Sequence, residues 1–211
     1  MRTQEQVNEI VRLLMAESPL ADCTLDWNKA YELLFSVRLA AQCTDERVNK
    51  ITPALFARFP TLEAFAEADV AEVEEYVRSC GFYHSKARDI VACANVLLEK
   101  YGGELPRTME ELTALPGVGR KTANLILGDV FKIPGSTVVD THCIRISNLL
   151  GLVDDLKDPV KIEMELRKIL PPEHSSDFCH CIVLHGRAVC IARRPECERC
   201  CVRHLCRHYS G

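Results

Sequence analysis

The sequence predicts an all-α protein. Apolar residues recur every three or four positions in one segment after another, which is the spacing of one face of a helix. Prolines and glycines, among them Pro60 and the pair Gly102 and Gly103, separate these segments as turns. Only residues 136–139 favour a β-strand, and that segment is too short to found a sheet.

The individual helices follow from apolar spacing and capping residues. The first begins behind Thr3, a residue type that caps helices, and shows the apolar spacing over 7–15. Further along, Asp158 supplies a cap and Pro159 occupies the first helical position. The remaining helices are expected over 30–41, 47–59, 70–79, 85–101, 108–114, 120–131, 141–149, 159–170 and 176–189.

Length and composition limit the class of protein. With 211 residues, of which 47% are hydrophobic, the chain can form one large domain or two small ones, and a division near Pro134 agrees with the helix pattern. No apolar segment approaches the roughly 18 residues of a membrane span. The N-terminus lacks the basic and then apolar layout of a secretory signal. Eight of the twelve cysteines fall mostly within apolar helical patterns, which indicates buried thiols and a reducing, prokaryotic-type cytoplasm.

The charge is unevenly distributed. The net charge of −4 counts mildly against nucleic acid as a partner, because phosphate binding favours a basic protein. From Gly186 onward, however, six arginines face two glutamates, which leaves +4 there and −8 in the rest of the chain. A basic face on an acidic body is compatible with DNA binding, and a solvated charged tail explains the pattern equally well.

Four cysteines near the C-terminus have the spacing of a metal centre. Cys190, Cys197, Cys200 and Cys206 are separated by six, two and five intervening residues, so their thiolates can converge on a tetrahedral zinc ion or a cubane iron–sulfur cluster. Zinc sites usually consist of two tight pairs, and only Cys197 and Cys200 form one. The wide arm from Cys190 favours the cluster, and zinc remains the alternative.

A second motif is the segment LPGVGRKTAN over 115–124. Gly117 and Gly119 allow positive φ and expose consecutive N–H groups at the start of a helix, where the helix dipole favours a phosphate. The segment is neither a Rossmann fingerprint, since no strand precedes it, nor a P-loop, whose spacing is longer. The alternative interpretation is a tight turn between helices.

Lys121 and Asp140 are the candidate catalytic residues. Lys121 falls in the first turn of the helix after the hairpin, where the helix dipole disfavours a cation, and its amine is the candidate nucleophile. A surface lysine that contacts phosphate is the alternative. Asp140 precedes a helix as an N-cap, and a rigidly held carboxylate also suits catalysis. His142 and Arg145 can share a helix face, with a structural role for His142 as the alternative.

Together these motifs resemble the endonuclease III family, which comprises base-excision DNA glycosylases of the helix-hairpin-helix superfamily. The resemblance rests on the hairpin segment, the VDTH sequence over 139–142 and the cysteine spacing, and extends to AAQ at 40–42, SKA at 85–87 and LHGR at 184–187. It implies two helical domains flanking a DNA-binding cleft. One is a six-helix barrel over 23–133 with the helix-hairpin-helix motif at about 109–128. The other is a cluster domain over 1–22 and 134–211 with the cluster loop at 190–206.

The resemblance also implies roles. Lys121 is the amine nucleophile and Asp140 the essential carboxylate of a glycosylase that removes oxidised pyrimidines from duplex DNA and nicks the strand at the abasic site. The four cysteines hold a 4Fe-4S cluster with a structural role. Gln42 fills the gap left by the flipped nucleotide, and Phe82 stands where family members commonly have a leucine wedge. The residues expected to contact DNA are Gln42, Phe82, Gly117, Gly119, Arg120, His142, Arg193 and Arg194.

The partner implied is double-stranded DNA with damaged bases or abasic sites, bound by a monomer that does not associate with membranes. Three alternatives remain. An adenine glycosylase for A/G mismatches shares the fold and cysteine spacing, but lacks the lysine found at Lys121. A non-catalytic DNA-binding helix-hairpin-helix module would not require Lys121 paired with Asp140. A zinc-dependent interaction protein would carry zinc on the four cysteines.

Overall fold

The structure is a computed structural model that describes residues 2–209, and within this range it contains helices, turns and loops but no strand. The prediction of an all-α fold is confirmed. The expected domains also include Met1, Ser210 and Gly211, which lie outside the described residues. The α-helices of the described range are α1 Gln4–Glu17, α2 Ala30–Ala40, α3 Asp45–Arg58, α4 Leu62–Ala66, α5 Val70–Val77, α6 Tyr83–Tyr101, α7 Met109–Thr113, α8 Arg120–Leu125, α9 Thr141–Leu150, α10 Pro159–Ile169 and α11 Ser175–Ala188.

Two elements differ from the predicted helices. The pattern misses α4, a helix of five residues that buries Leu62 and Phe65 and is capped by Thr61. The single helix expected over 120–131 changes its winding after α8 and continues as a π-helical turn, Ile126–Val130. Such turns are commonly single insertions within α-helices, and apolar spacing does not reveal them.

Short polar side chains cap most of the helices, as the sequence suggests. Thr3 accepts a hydrogen bond from the Gln6 amide while the Gln6 side chain accepts one from the Thr3 amide, which forms a capping box at the start of α1. Asp158 accepts from the Lys161 amide at 2.9 Å, with Pro159 at the first helical position of α10.

The chain forms two compact units. The first consists of Thr24–Phe131, and the second consists of Met1–Cys23 together with Lys132–Gly211. No helix among residues 2–209 has the length and apolar character needed to cross a bilayer.

An aromatic cluster lies in the core of the first unit. The ring of Phe65 on α4 contacts Phe35 at a centroid distance of 5.1 Å and Phe59 at 5.2 Å, and all three side chains are buried. Edge-on and tilted contacts of this kind add to the free energy gained by burying the apolar rings. The short helix α4 is therefore held by packing, since five residues do not form a stable helix by themselves.

In the second unit α1 packs on α11, and α11 packs on α9. Ile10 and Leu14 of α1, Phe178 and Ile182 of α11, and Ile146 of α9 are at most 1% exposed. The helix at the beginning of the sequence thus shares a core with segments that lie more than a hundred residues later.

Candidate functional site

The turn between α7 and α8 is a tight hairpin. The Val118 amide donates to the Leu115 carbonyl at 3.1 Å and closes the turn. Gly117 has φ +73°, a conformation that favours glycine. Gly119 has an extended backbone with φ −96° and precedes α8 as its N-cap, with no side-chain cap. Of the two glycines, only Gly117 uses the positive φ that glycine allows.

The two glycines also differ in their surroundings. A Cβ atom on Gly117 would lie 2.8 Å from Nε of Arg38 and 2.9 Å from Cβ of Asp89, whereas a Cβ atom on Gly119 would meet nothing within 4 Å. Arg38 and Asp89 form an ion pair with an Nη2–Oδ2 distance of 2.6 Å. The hairpin therefore packs closely against the Arg38–Asp89 pair at Gly117, whereas Gly119 faces open space.

Lys121 is exposed in the first turn of α8, the position that the sequence predicts, and Arg120 immediately before it is half-buried. Both belong to the first unit. The exposed position of Lys121 makes its amine accessible to a ligand that approaches the hairpin.

Gln42 and Phe82, which also lie in the first unit, share an unusual backbone. Gln42 has φ +56° and Phe82 has φ +46°, so two of the four non-glycine residues with positive φ in the described chain are predicted DNA contacts. Both side chains are exposed, and Phe82 is 68% exposed although it is a large apolar residue. Left-handed conformations at non-glycine residues are uncommon and cluster at functional sites.

In the second unit, Asp140 caps α9. Its Oδ1 atom accepts a hydrogen bond from the Cys143 amide at 2.8 Å, and the side chain is half-buried. Because this bond fixes one carboxylate oxygen, the other oxygen has a defined direction. Asp140 is thus both the predicted helix cap and a rigidly held carboxylate.

His142 follows in the first turn of α9 and packs inward against α11. A Cβ atom on Gly186 would lie 2.4 Å from Nδ1 of His142 and 3.0 Å from Cδ1 of Ile146, so a glycine is required there for the imidazole to fit. This packing favours the structural role for His142, and its DNA contact stays a prediction.

The four predicted ligand cysteines line one cavity in the second unit. The cavity has a volume of about 200 Å³, and its wall includes Cys190, Cys197, Cys200 and Cys206. Cys201 is not part of this wall. The structure therefore distinguishes Cys200 from Cys201 as a candidate ligand by its position in the wall, whereas the sequence distinguishes them only by their spacing to the other cysteines.

Two basic side chains contact these sulfurs, and motif spacing does not reveal them. Nη1 of Arg145 donates to Sγ of Cys190 at 3.3 Å, and Nε2 of His185 lies 3.6 Å from Sγ of Cys200. Nδ1 of His185 lies 2.6 Å from Oε2 of Glu17, which orients the ring. The sequence hints at these contacts only in that Arg145 follows the VDTH motif closely and His185 lies within the LHGR segment at 184–187.

Burial disfavours the charged thiolate form of Cys190, Cys200 and Cys201. Desolvation raises the pKa of Cys190, although the hydrogen bond from Arg145 opposes it. Desolvation also raises the pKa of Cys200 to about 11 and that of Cys201 to about 12. A bound metal stabilises the thiolate directly, so thiolate ligation at Cys200 requires the metal's own charge.

The loop between Cys190 and Cys197 carries the predicted phosphate contacts. The Glu196 amide donates to the Val189 carbonyl at 2.9 Å and closes the loop at its base. Arg193 and Arg194 are exposed at its tip, and neither forms an ion pair within residues 2–209.

Other arginines of this basic segment are neutralised. Arg199 pairs with Glu196, Arg203 with Glu198 and Arg207 with Asp154. The basic face expected from composition is therefore concentrated at the tip of the loop.

Comparison with known proteins identifies the family. Residues 35–172 match the family described as HhH-GPD superfamily base excision DNA repair protein. The chain is 45% identical to endonuclease III of Synechocystis sp. (strain ATCC 27184 / PCC 6803 / Kazusa) over 96% of this chain and 92% of that protein. It is 40% identical to endonuclease III of Escherichia coli (strain K12) over 95% of this chain and 94% of that protein.

A solved structure of a trapped endonuclease III–DNA covalent intermediate matches with a TM-score of 0.92 and 39% identity, covering 100% of this chain and 98% of that one. Fold and family match together define the class, the HhH-GPD superfamily of base excision DNA repair proteins. Within that class, the chain belongs to the endonuclease III family. The resemblance inferred from the motifs is confirmed.

Proposed function

We propose that this protein is a bifunctional DNA glycosylase and abasic-site lyase that removes oxidised pyrimidines from duplex DNA. The observation that carries the proposal is the match, over the whole chain, to an endonuclease III that was trapped covalently on DNA. A covalent intermediate requires a nucleophile, and Lys121 offers an exposed amine in the first turn after the hairpin. DNA with damaged bases or abasic sites is the partner.

The chemistry begins with a nucleotide flipped out of the stack, since C1′ and the damaged base are inaccessible within the duplex. Asp140 accepts a proton from the Lys121 ammonium, and Nζ then attacks C1′. The bond from C1′ to the base breaks, and the base leaves with the electron pair and takes up a proton. The proton comes from Asp140, which is thereby restored to a carboxylate and stabilises the positive charge on the sugar.

Ring opening of the sugar gives a Schiff base between Lys121 and C1′. Loss of a proton from C2′ then expels the 3′ phosphate by β-elimination, which nicks the strand. Water hydrolyses the imine and restores the lysine. The amine therefore serves both activities, and loss of Lys121 should abolish both.

Borohydride trapping tests this assignment. Reduction converts the Schiff base to a stable amine, so wild-type protein on duplex DNA with one thymine glycol should give a covalent adduct. Lys121→Ala should give none, while Lys100→Ala, which removes an exposed lysine of the same unit, should match the wild type. An undiminished adduct from Lys121→Ala would contradict the proposal.

We propose that the four cysteines hold a 4Fe-4S cluster. A single zinc ion at about 2.3 Å from four sulfurs leaves no space among them, whereas the four thiols here line a cavity of about 200 Å³ with largely apolar walls. The donor set of four sulfurs suits such a cluster. When bound, the cluster would join Cys190, just after α11, to Cys197, Cys200 and Cys206, and would fix the loop that carries Arg193 and Arg194.

Metal analysis tests the cofactor. Protein purified without oxygen should be brown and contain iron and acid-labile sulfide in equal amounts. A colourless preparation with one zinc ion per chain would support the zinc alternative instead.

The remaining DNA contacts follow the same proposal. The hairpin amides of Gly117 and Gly119 with Arg120, and the loop arginines Arg193 and Arg194, would contact phosphates, which carry no base identity. Gln42 and Phe82 would occupy the gap left by the flipped nucleotide. His142 would support the segment of Asp140 through its packing on Gly186.

A further inference from the structure

Gln42 and Phe82, which lie in the first unit, adopt a left-handed backbone conformation that the surrounding structure must hold in place. Gln42 follows the C-terminal end of α2, and Phe82 immediately precedes α6, with φ +56° and +46° respectively. Neither is a glycine, so each conformation is strained and persists only where its surroundings fix it. Both side chains are exposed, so contacts of these side chains with a core do not supply the restraint.

Lys86 lies between these two segments. It belongs to α6 and is 0% exposed, although lysine is rarely buried. Its Nζ atom donates to the Leu39 carbonyl at 2.8 Å and to the Cys80 carbonyl at 2.8 Å. Leu39 lies three residues before Gln42, and Cys80 lies two residues before Phe82. One ammonium group therefore joins the backbone segments that lead into the two strained residues.

The backbone of Lys86 adds a third connection. Its amide donates to the carbonyl of Phe82 at 3.2 Å, and the hydroxyl of Ser85 donates to the same carbonyl at 2.9 Å. The backbone at Phe82 is thus restrained by hydrogen bonds to its own carbonyl as well as by the bond from Lys86 to the Cys80 carbonyl. This short stretch of α6 restrains the turn that carries Phe82.

Electrostatics favours an ammonium group between the Leu39 and Cys80 carbonyls. Leu39 is among the last residues of α2, and Cys80 ends a 3₁₀ turn over Arg78–Cys80, so both carbonyls lie at helix ends that lack intrahelical donors. The negative end of a helix dipole favours a cation. Burial lowers the pKa of Lys86, and the two carbonyl acceptors compensate the desolvated charge. An apolar side chain at this position would leave both carbonyls without the donor that Lys86 supplies.

We propose that Lys86 is a positioning residue for DNA repair, which holds Gln42 and Phe82 in the conformation that fills the gap in the duplex. This inference rests on the proposed function. Lys86 does not contact the reacting atoms, since its ammonium group is buried against two carbonyls. Its contribution is needed only where a nucleotide must be extruded from a duplex and its place filled.

The test compares Lys86→Gln and Lys86→Met with Leu97→Ala. Leu97 is a fully buried residue of the same helix, about 16 Å further along the axis, so its truncation weakens the same unit away from both segments. Base release is measured on a duplex with one thymine glycol, and strand cleavage is measured on a single-stranded oligonucleotide with one abasic site. Unfolding midpoints in urea establish that the compared variants are folded and similarly destabilised.

We expect the Lys86 variants to lose roughly 10- to 100-fold in kcat/KM on the duplex, mainly in kcat, because displaced positioning groups cost rates of this order. On the single strand, where no gap is filled, they should equal the wild type. Leu97→Ala should retain wild-type rates on both substrates. If Lys86→Met does not fold, Lys86→Gln, whose amide can still donate to one carbonyl, decides by the same comparison.

Two outcomes overturn the inference. Duplex rates equal to those of Leu97→Ala would show that Lys86 is not needed for positioning, and equal losses on both substrates would indicate general damage to the fold. A wild-type protein that forms no borohydride adduct and nicks no abasic site would instead contradict the proposed function, so the two failures are distinguishable.

Discussion

Arg38 and Asp89 form an ion pair directly beneath the hairpin, with 2.6 Å between Nη2 and Oδ2. The two residues come from α2 and α6, and the absent side chain of Gly117 leaves the space that the pair occupies. The position of the hairpin therefore depends on α2 and α6 as well as on its own turn. A small cavity lined by Pro116 and Val118 lies beside the same pair.

Gly117→Ala should destabilise the first unit. The substitution forces a Cβ atom into a left-handed residue and against the Arg38–Asp89 pair, and the backbone strain alone costs about 1–3 kcal/mol. Gly119→Ala is the matched control, because its backbone is extended and the new methyl group meets nothing within 4 Å. Thermal unfolding of both variants checks the difference, and equal midpoints would contradict it.

The same pair of variants probes phosphate contact. If the amide of Gly119 approaches a phosphate, a methyl group there hinders that approach although the fold is intact. Gly119→Ala should therefore weaken binding to abasic duplex DNA without a change in unfolding midpoint. Unchanged affinity would remove Gly119 from the DNA contacts.

Asp140 offers a way to separate capping from catalysis. Asparagine also caps helices, so Asp140→Asn should retain the bond to the Cys143 amide and the stability of the protein. It should bind DNA but lose base release, because an amide neither accepts the lysine proton nor stabilises positive charge. Asp140→Ala should lose in addition about 1 kcal/mol of stability with the cap. Equal loss of binding and turnover in Asp140→Asn would indicate a mainly structural role.

Local chemistry explains which features were predictable. The start of α1 at Thr3 and the start of α10 at Asp158 and Pro159 depend on neighbouring residues only, so the sequence predicts them. The helix α4 depends on the burial of Phe65 among rings from elsewhere in the chain, and its one turn is too short for a periodic signal.

The site shows the same distinction. The cysteine spacing and the hairpin glycines lie within short segments and are visible in the sequence. The Arg38–Asp89 pair joins residues 51 positions apart, and the bond from Arg145 to Cys190 joins residues 45 positions apart. Such pairs arise from packing of helices, which residue spacing does not encode.

Arg193 and Arg194 should contribute to the salt dependence of DNA binding. The slope of log K against log salt is negative, and each phosphate contact that is removed makes it less negative by about 0.9. If both arginines contact phosphate, the double variant Arg193→Gln with Arg194→Gln should bind more weakly, and its slope should be less negative than that of the wild type by about 1.8. Arg12→Gln removes an exposed arginine that already pairs with Glu9, and should leave the slope unchanged. Titrations at several salt concentrations measure both.

Cys93 should make the protein less stable in alkaline solution. Burial raises the pKa of this thiol from 9.0 to about 12, so at high pH the unfolded chain releases a proton that the folded chain retains. The stabilisation is fully present below pH 9 and is lost as the pH rises towards 12, by about 1.4 kcal/mol per pH unit. Urea unfolding between pH 8 and pH 11 should show a smaller decrease for Cys93→Ala than for the wild type. Parallel curves would contradict this assignment.

Cys200 and Cys201 provide the sharpest test of the metal centre, because they are adjacent in sequence and differ in position. The thiol of Cys200 lies in the wall of the cavity, whereas Cys201 is absent from that wall and its thiol is adjacent to Glu17. Cys200→Ser should therefore reduce iron and sulfide content strongly and lower the unfolding midpoint, since ligand binding and folding are coupled. Cys201→Ser should retain the full metal content and the brown colour. If Cys201→Ser lost the cluster while Cys200→Ser kept it, the ligand set would be Cys190, Cys197, Cys201 and Cys206, and Cys201 would have to replace Cys200 in the wall of the cavity.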